Sequence, residues 1–117
     1  MGTYTRIICH IVFSTTHWER VLAPTRRDDL FRYIWGVIKI QQGHLNRIGG
    51  VDDHVHILSS LHPPVALADF VKAIKVASAL WIKDERVFPG FGHWPDGYGT
   101  FTHSIREKDG LIDYMNG

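Results

Sequence analysis

Two histidines one residue apart, His54 and His56 in Val51-Asp52-Asp53-His54-Val55-His56-Ile57-Leu58, have the types and spacing best suited to chemistry in this chain. On an extended segment alternate side chains leave the same face, so both imidazoles project together. A strand advances about 3.3 Å per residue, which sets their Cα atoms roughly 7 Å apart, near enough to converge on one ion. Asp52 shares their strand parity and is a candidate additional metal ligand, whereas Asp53 should face the other way. The same spacing also suits two half-exposed strand histidines with satisfied hydrogen bonds, so both readings stand at this point. If the pair binds a metal, two imidazoles leave several coordination positions open, which is the arrangement of a catalytic site and requires oxygens from a substrate. The candidate nucleophile is Tyr114, an aromatic hydroxyl with Gly110, Leu111 and Asp113 as its neighbours, although a tyrosine on a helix ordinarily packs.

The elements that must position these groups fit one domain. The chain has 117 residues, 44% of them hydrophobic, enough for a core of its own. Thirteen basic and twelve acidic side chains give a net charge of +1, so any nucleic-acid binding must be local and not a property of the whole surface. No apolar run is long enough to span a bilayer, and Met1-Gly2-Thr3-Tyr4-Thr5-Arg6 lacks the order of an export signal, so a cytoplasmic protein with no membrane partner is expected. The single cysteine, Cys9, lies between Ile7-Ile8 and Ile11-Val12, where a buried, inert thiol is expected.

Thr3 to Thr15 reads as a central strand, and the parity of His10 fits either the exposed sheet face of the histidine pair, if the two strands are neighbours, or a core-edge histidine bonded to a backbone carbonyl. A loop from His17 to Pro24 contains Trp18, Glu19 and Arg20. Thr25 with Asp28 then suggests a capping box for a first helix that Gly43 ends, with Leu30, Phe31, Ile34, Val37 and Ile38 as its apolar stripe. His44 to Gly50 is a second strand, Gly49-Gly50 a tight turn or bulge, and Val51 to Leu61 the third strand. Val65 to Lys83 forms a second helix, Asp84 to Gly97 a loop, and Tyr98 to His103 a fourth strand. Ser104-Ile105-Arg106-Glu107 matches a capping box opening a last helix that carries Leu111, Ile112, Tyr114 and Met115.

A crossover from the first strand to the second leaves a slot between them, which the third strand fills antiparallel to both. The expected fold is therefore α+β, a ferredoxin-like four-stranded antiparallel sheet with helices on one face and a C-terminal helix carrying the tyrosine. It puts the histidine pair on a central strand beside the first one.

Three ordered stretches carry a family resemblance: Asp52-Asp53-His54-Val55-His56-Ile57-Leu58, Trp94-Pro95-Asp96-Gly97-Tyr98-Gly99-Thr100-Phe101, and Lys108-Asp109-Gly110-Leu111-Ile112-Asp113-Tyr114-Met115-Asn116. Together with Ile11-Val12-Phe13-Ser14-Thr15 and Arg20-Val21-Leu22 they make the chain similar to the single-tyrosine HUH transposases of the smallest bacterial insertion sequences. REP-associated tyrosine transposases match less closely. The resemblance implies a DNA transposase, active as a homodimer, that cleaves and rejoins single-stranded DNA at hairpin-containing element ends through a 5′-phosphotyrosine. It implies His54 and His56 as ligands of a divalent ion, Mg²⁺ or Mn²⁺, and Tyr114 as the nucleophile. The family's third ligand follows the tyrosine by one helical turn, a position beyond Gly117, so residues 1–117 are expected to be a single HUH domain lacking its C-terminal end. Trp18-Glu19 stand where relatives are more basic, which argues against a DNA grip by that loop.

Two other classes fit the same residues. One is a non-catalytic single-stranded nucleic-acid-binding module with Tyr98 and Phe101 stacking on bases and Lys72 and Lys75 contacting phosphates, though the two aromatics have opposite strand parity. The other is a metal-dependent phosphoesterase that uses only the histidine pair.

Overall fold

The structure, a computed structural model, describes residues 7–62, 66–97 and 99–104, with Ile7 and 99–104 described as backbone. The expected strand start at Thr3, the helix start at Val65, Tyr98, the Phe101 side chain and the last helix with Tyr114 lie outside what is described. The elements are β1 (Ile7–Ser14), a single 3₁₀ turn (Thr16–Trp18), α1 (Pro24–Ile40), β2 (His44–Gly50), β3 (His54–Ser60), α2 (Leu67–Asp84) and β4 (Gly99–Ser104). The sheet order is β2-β3-β1-β4 with every neighbouring pair antiparallel, so β3 fills the slot between β1 and β2 as expected.

One face of the sheet carries the main core. Cys9, Ile11 and Phe13 of β1 and Val55 and Ile57 of β3 are buried there against Leu30, Ile34 and Ile38 of α1 and Phe70, Val71, Ile74 and Ile82 of α2. The four-residue spacing of the α1 set is the helical stripe that the sequence shows. Tyr33 stacks on Trp81 with centroids 4.9 Å apart and planes inclined by 12°, which joins the two helices above the sheet. Cys9 is fully buried, and that burial pushes its thiol pKa up, in keeping with an inert residue.

Several boundaries differ from expectation for local reasons. Helix α1 starts at Pro24 with Ala23 before it and no side-chain cap, so the Thr25–Asp28 box does not form. Proline's fixed φ suits the first helical position, where its missing N–H costs nothing. The helix stops at Ile40, and the left-handed residue is Gln42 (φ 63°) rather than Gly43. The Gly43 N–H closes the end on the Ile38 carbonyl at 3.0 Å. Glycine is needed at 43 for space, since a Cβ there would lie 3.0 Å from the Ser60 carbonyl oxygen. Gly49 and Gly50 stay in the ladder opposite His56 and Val55, and the register shift falls instead between Leu45 and Arg47. The reversal is therefore made by residues 51–53, with the Val51 N–H on the His54 carbonyl at 3.0 Å, and β3 begins at His54 rather than Val51.

The segment after α2 is a loop as expected, but a partly buried one. Val87, Phe88, Phe91 and Trp94 are buried in the main core, and the Trp94 ring meets Phe13 and Phe91 edge-on at 4.8 Å each. Its Nε1–H donates to Ser78 Oγ at 2.9 Å. The Lys75 ammonium donates to the carbonyls of Pro95 (2.5 Å) and Gly97 (3.0 Å), fastening the approach to β4. Partial burial lowers its pKa, and Asp96 opposes that shift. Lys75 is thus occupied by the loop, where the binding-module reading had it on phosphates.

Candidate active site

The second sheet face, on β1 and β3, carries Ile8, His10, Val12 and Ser14 beside Ser60, Leu58, His56 and His54, each pair in direct register. At the Ile8–Leu58 end this face is covered, both residues being fully buried and His10 only 9% exposed. Of the two readings of His10, the burial favours the core-edge one, while its neighbourhood to the histidine pair holds. Exposure returns at the other end, where the His54 side chain is 34% exposed.

His54 and His56 project from this one face, with ring centroids 6.2 Å apart and planes inclined by 39°. His10 approaches His56 edge-on at 6.4 Å. The His54 Nδ1 lies 2.8 Å from Asp53 Oδ1. An ionised carboxylate can only accept, so Nδ1 carries the hydrogen and, in the neutral ring, Nε2 carries the lone pair. The parity argument for Asp52 and Asp53 fails because both belong to the turn and not to the strand. Asp53 is the residue at His54, and the Asp52 carboxylate lies 3.8 Å from the Arg20 guanidinium instead.

His56 is held differently. It faces Gly49 across the β2–β3 ladder, and a Cβ on Gly49 would lie only 2.8 Å from His56 Cε1. Glycine here is a slot for the ring, a function invisible in sequence until the register is known. His56 Nδ1 is buried with no hydrogen-bond partner among the described residues. Burial lowers the His56 pKa, with His54, His10 and Arg47 adding to the shift, so the ring favours its neutral, ligating form.

The turn before the site is strained. His17 (φ 53°) and Trp18 (φ 57°) are consecutive non-glycine residues in the left-handed region, at about 1–2 kcal/mol each. Buried Thr15 holds them, its N–H on the Asp53 carbonyl at 2.9 Å and its hydroxyl on the Glu19 carbonyl at 2.7 Å. Thr16 adds a bond from its hydroxyl to the His93 carbonyl at 2.9 Å. The Leu22 N–H bonds the Asp52 carbonyl at 3.0 Å, so this turn and the 51–53 reversal brace each other. Trp18 ends beside His54, ring centroids 6.5 Å apart.

Among the described residues no three His, Cys, Asp or Glu side chains are grouped to hold a metal. The two imidazoles nevertheless fit a divalent ion. One is oriented through its far nitrogen by a carboxylate, and the other has a buried nitrogen that nothing among the described residues satisfies. Two nitrogen donors suit Mn²⁺ better than Mg²⁺, which prefers oxygens in a near-ideal octahedron.

The antiparallel sheet backed by two helices is shared with two solved structures. A candidate transposase from Deinococcus radiodurans R1, solved by crystallography at 1.90 Å, superposes with a TM-score of 0.78 at 24% identity, covering 99% of this chain and 93% of that one. A REP-associated tyrosine transposase bound to a REP hairpin superposes with a TM-score of 0.61 at 15% identity, covering 97% of this chain and 66% of that one. A search of curated protein sequences found no match. The model of the IS200-like transposase family matches residues 3–117, and the chain belongs to that family. No helix among the described residues is long and apolar enough to cross a membrane.

Proposed function

We propose that this transposase cuts and rejoins single-stranded DNA through a covalent 5′-phosphotyrosine on Tyr114, with a divalent ion at His54 and His56. The observation that carries the reading is the pair itself: one imidazole aimed by Asp53, the other with a buried, unpartnered nitrogen. Mn²⁺ or Mg²⁺ held there would polarise the scissile phosphate and stabilise the leaving 3′ oxygen. The remaining work falls to the chain. Asp53 fixes the tautomer of His54, burial keeps His56 neutral, and Gly49 gives its ring room.

In this reading a C-terminal helix opening at Ser104 carries Tyr114. The phenol oxygen attacks phosphorus in line, the new O–P bond replaces the P–O3′ bond, and the proton given up by the phenol is matched by one taken up at the 3′ hydroxyl. A second 3′ hydroxyl reverses the exchange to rejoin the strand. One phosphodiester becomes another, so no ATP is consumed. The active form is a homodimer in which one subunit's tyrosine helix completes the other's site. Edge strand β4, paired on one side with β1, supplies backbone groups for a two-fold contact. The DNA partners are hairpin-containing element ends.

His54→Ala and His56→Ala test the site. Each should abolish metal-dependent cleavage of single strands taken from the DNA flanking the gene, while circular dichroism and the melting transition stay near wild type. Cleavage by the double variant at the wild-type rate would remove the pair from the reaction.

A further inference from the structure

We propose that Trp18 is a stacking platform for one unpaired DNA base beside the His54–His56 pair. The inference rests on the transposase reading and deepens it by assigning a residue that binds the strand. Trp18 is 62% exposed and belongs to no part of the core, so packing does not account for an indole at this position. It is presented by two consecutive left-handed residues, a conformation that side chains resist and that Thr15 and Thr16 pin in place. The indole ring stands 6.5 Å from the His54 ring. It also lines an open cleft of about 310 Å³ with Val12, Phe13, Ser14, Pro95, Asp96 and Gly97.

Val12 and Ser14 are the direct register partners of His56 and His54, so the lining of this cleft continues into the histidine pair. A phosphodiester held at the pair would therefore place an adjoining nucleotide in the cleft against the indole. A base is the occupant this geometry favours. Every base offers a flat π face, and stacking on an exposed aromatic tolerates any sequence. The acidic Glu19 beside Trp18 and Asp96 in the cleft suit a contact to an uncharged base and not to a phosphate.

The test uses the full chain with oligothymidylate of about 20 nucleotides, longer than the ~4–16 that one site of this kind spans, and an equally long strand of abasic residues. Trp18→Ala should weaken oligothymidylate binding roughly tenfold, leave abasic-strand binding unchanged, and be rescued by Trp18→Tyr. Equal affinity of Trp18→Ala and wild type for oligothymidylate would overturn the proposal, as would an equal loss on both strands. Covalent capture of DNA flanking the gene, measured alongside, keeps the two ideas apart. Capture by wild type with no base-dependent loss in Trp18→Ala rejects the platform alone. Absence of capture by wild type rejects the transposase reading and the platform with it.

Discussion

Asp53 governs what His54 can offer a metal, because the 2.8 Å contact to Nδ1 leaves Nε2 as the donor. Outer partners of this kind ordinarily contribute about 10–100-fold in metal affinity. Asp53→Ala should therefore weaken Mn²⁺ binding within that range in a calorimetric titration, and wild-type affinity would show that the contact orients nothing. Gly49→Ala probes His56 in the same assay. The added methyl must displace the imidazole, the free end of a side chain and not backbone, so the fold should melt as wild type while Mn²⁺ affinity drops on the order of tenfold. Unchanged affinity would mean that the slot is not used. At this scale the histidine pair was legible, since a period of two fixes its common face. Asp53 and Gly49 were not, because one depends on where the strand begins and the other on which residue lies opposite His56. A shift of one residue in either changes the answer.

The helices were legible as elements because Leu30, Ile34 and Ile38, and Phe70 and Ile74, recur at helical spacing. The burial of the stretch from Val87 to Trp94 was not. Its prolines and glycines read as a loop, which it is, but its buried aromatics follow no period that would show their burial. Trp94 is the anchor of that stretch, wedged edge-on against Phe13 and Phe91 with its N–H on Ser78. Trp94→Phe keeps an aromatic but loses the hydrogen bond and part of the volume, and it should cost about 1–3 kcal/mol in urea unfolding. A change under about 0.5 kcal/mol would assign the segment to the mobile surface instead.

For the molecule as a whole, the strand order followed from the order of elements alone, since antiparallel pairing of β3 between β1 and β2 is what a crossover leaves possible. Assembly is not written in that order. Trp35 on α1 and Val76 and Leu80 on α2 remain exposed, and β4 is the sheet's edge among the described residues, so apolar surface and an edge strand are both available for a partner. Sedimentation at micromolar concentration should give twice the chain mass of 13.4 kDa, and a monomer would contradict a site completed by a second subunit.

The central claim is chemical, and covalent capture tests it most directly. Full-length protein is incubated with Mn²⁺ and labelled single strands from the DNA flanking its gene, then denatured, digested and sequenced by mass spectrometry. The account predicts a metal-dependent adduct on Tyr114 joined to a 5′ phosphate, absent from Tyr114→Phe even where DNA binding is near wild type, because that change removes only the phenol oxygen. Cleavage and an adduct retained by Tyr114→Phe, with the DNA carried on another residue, would contradict it.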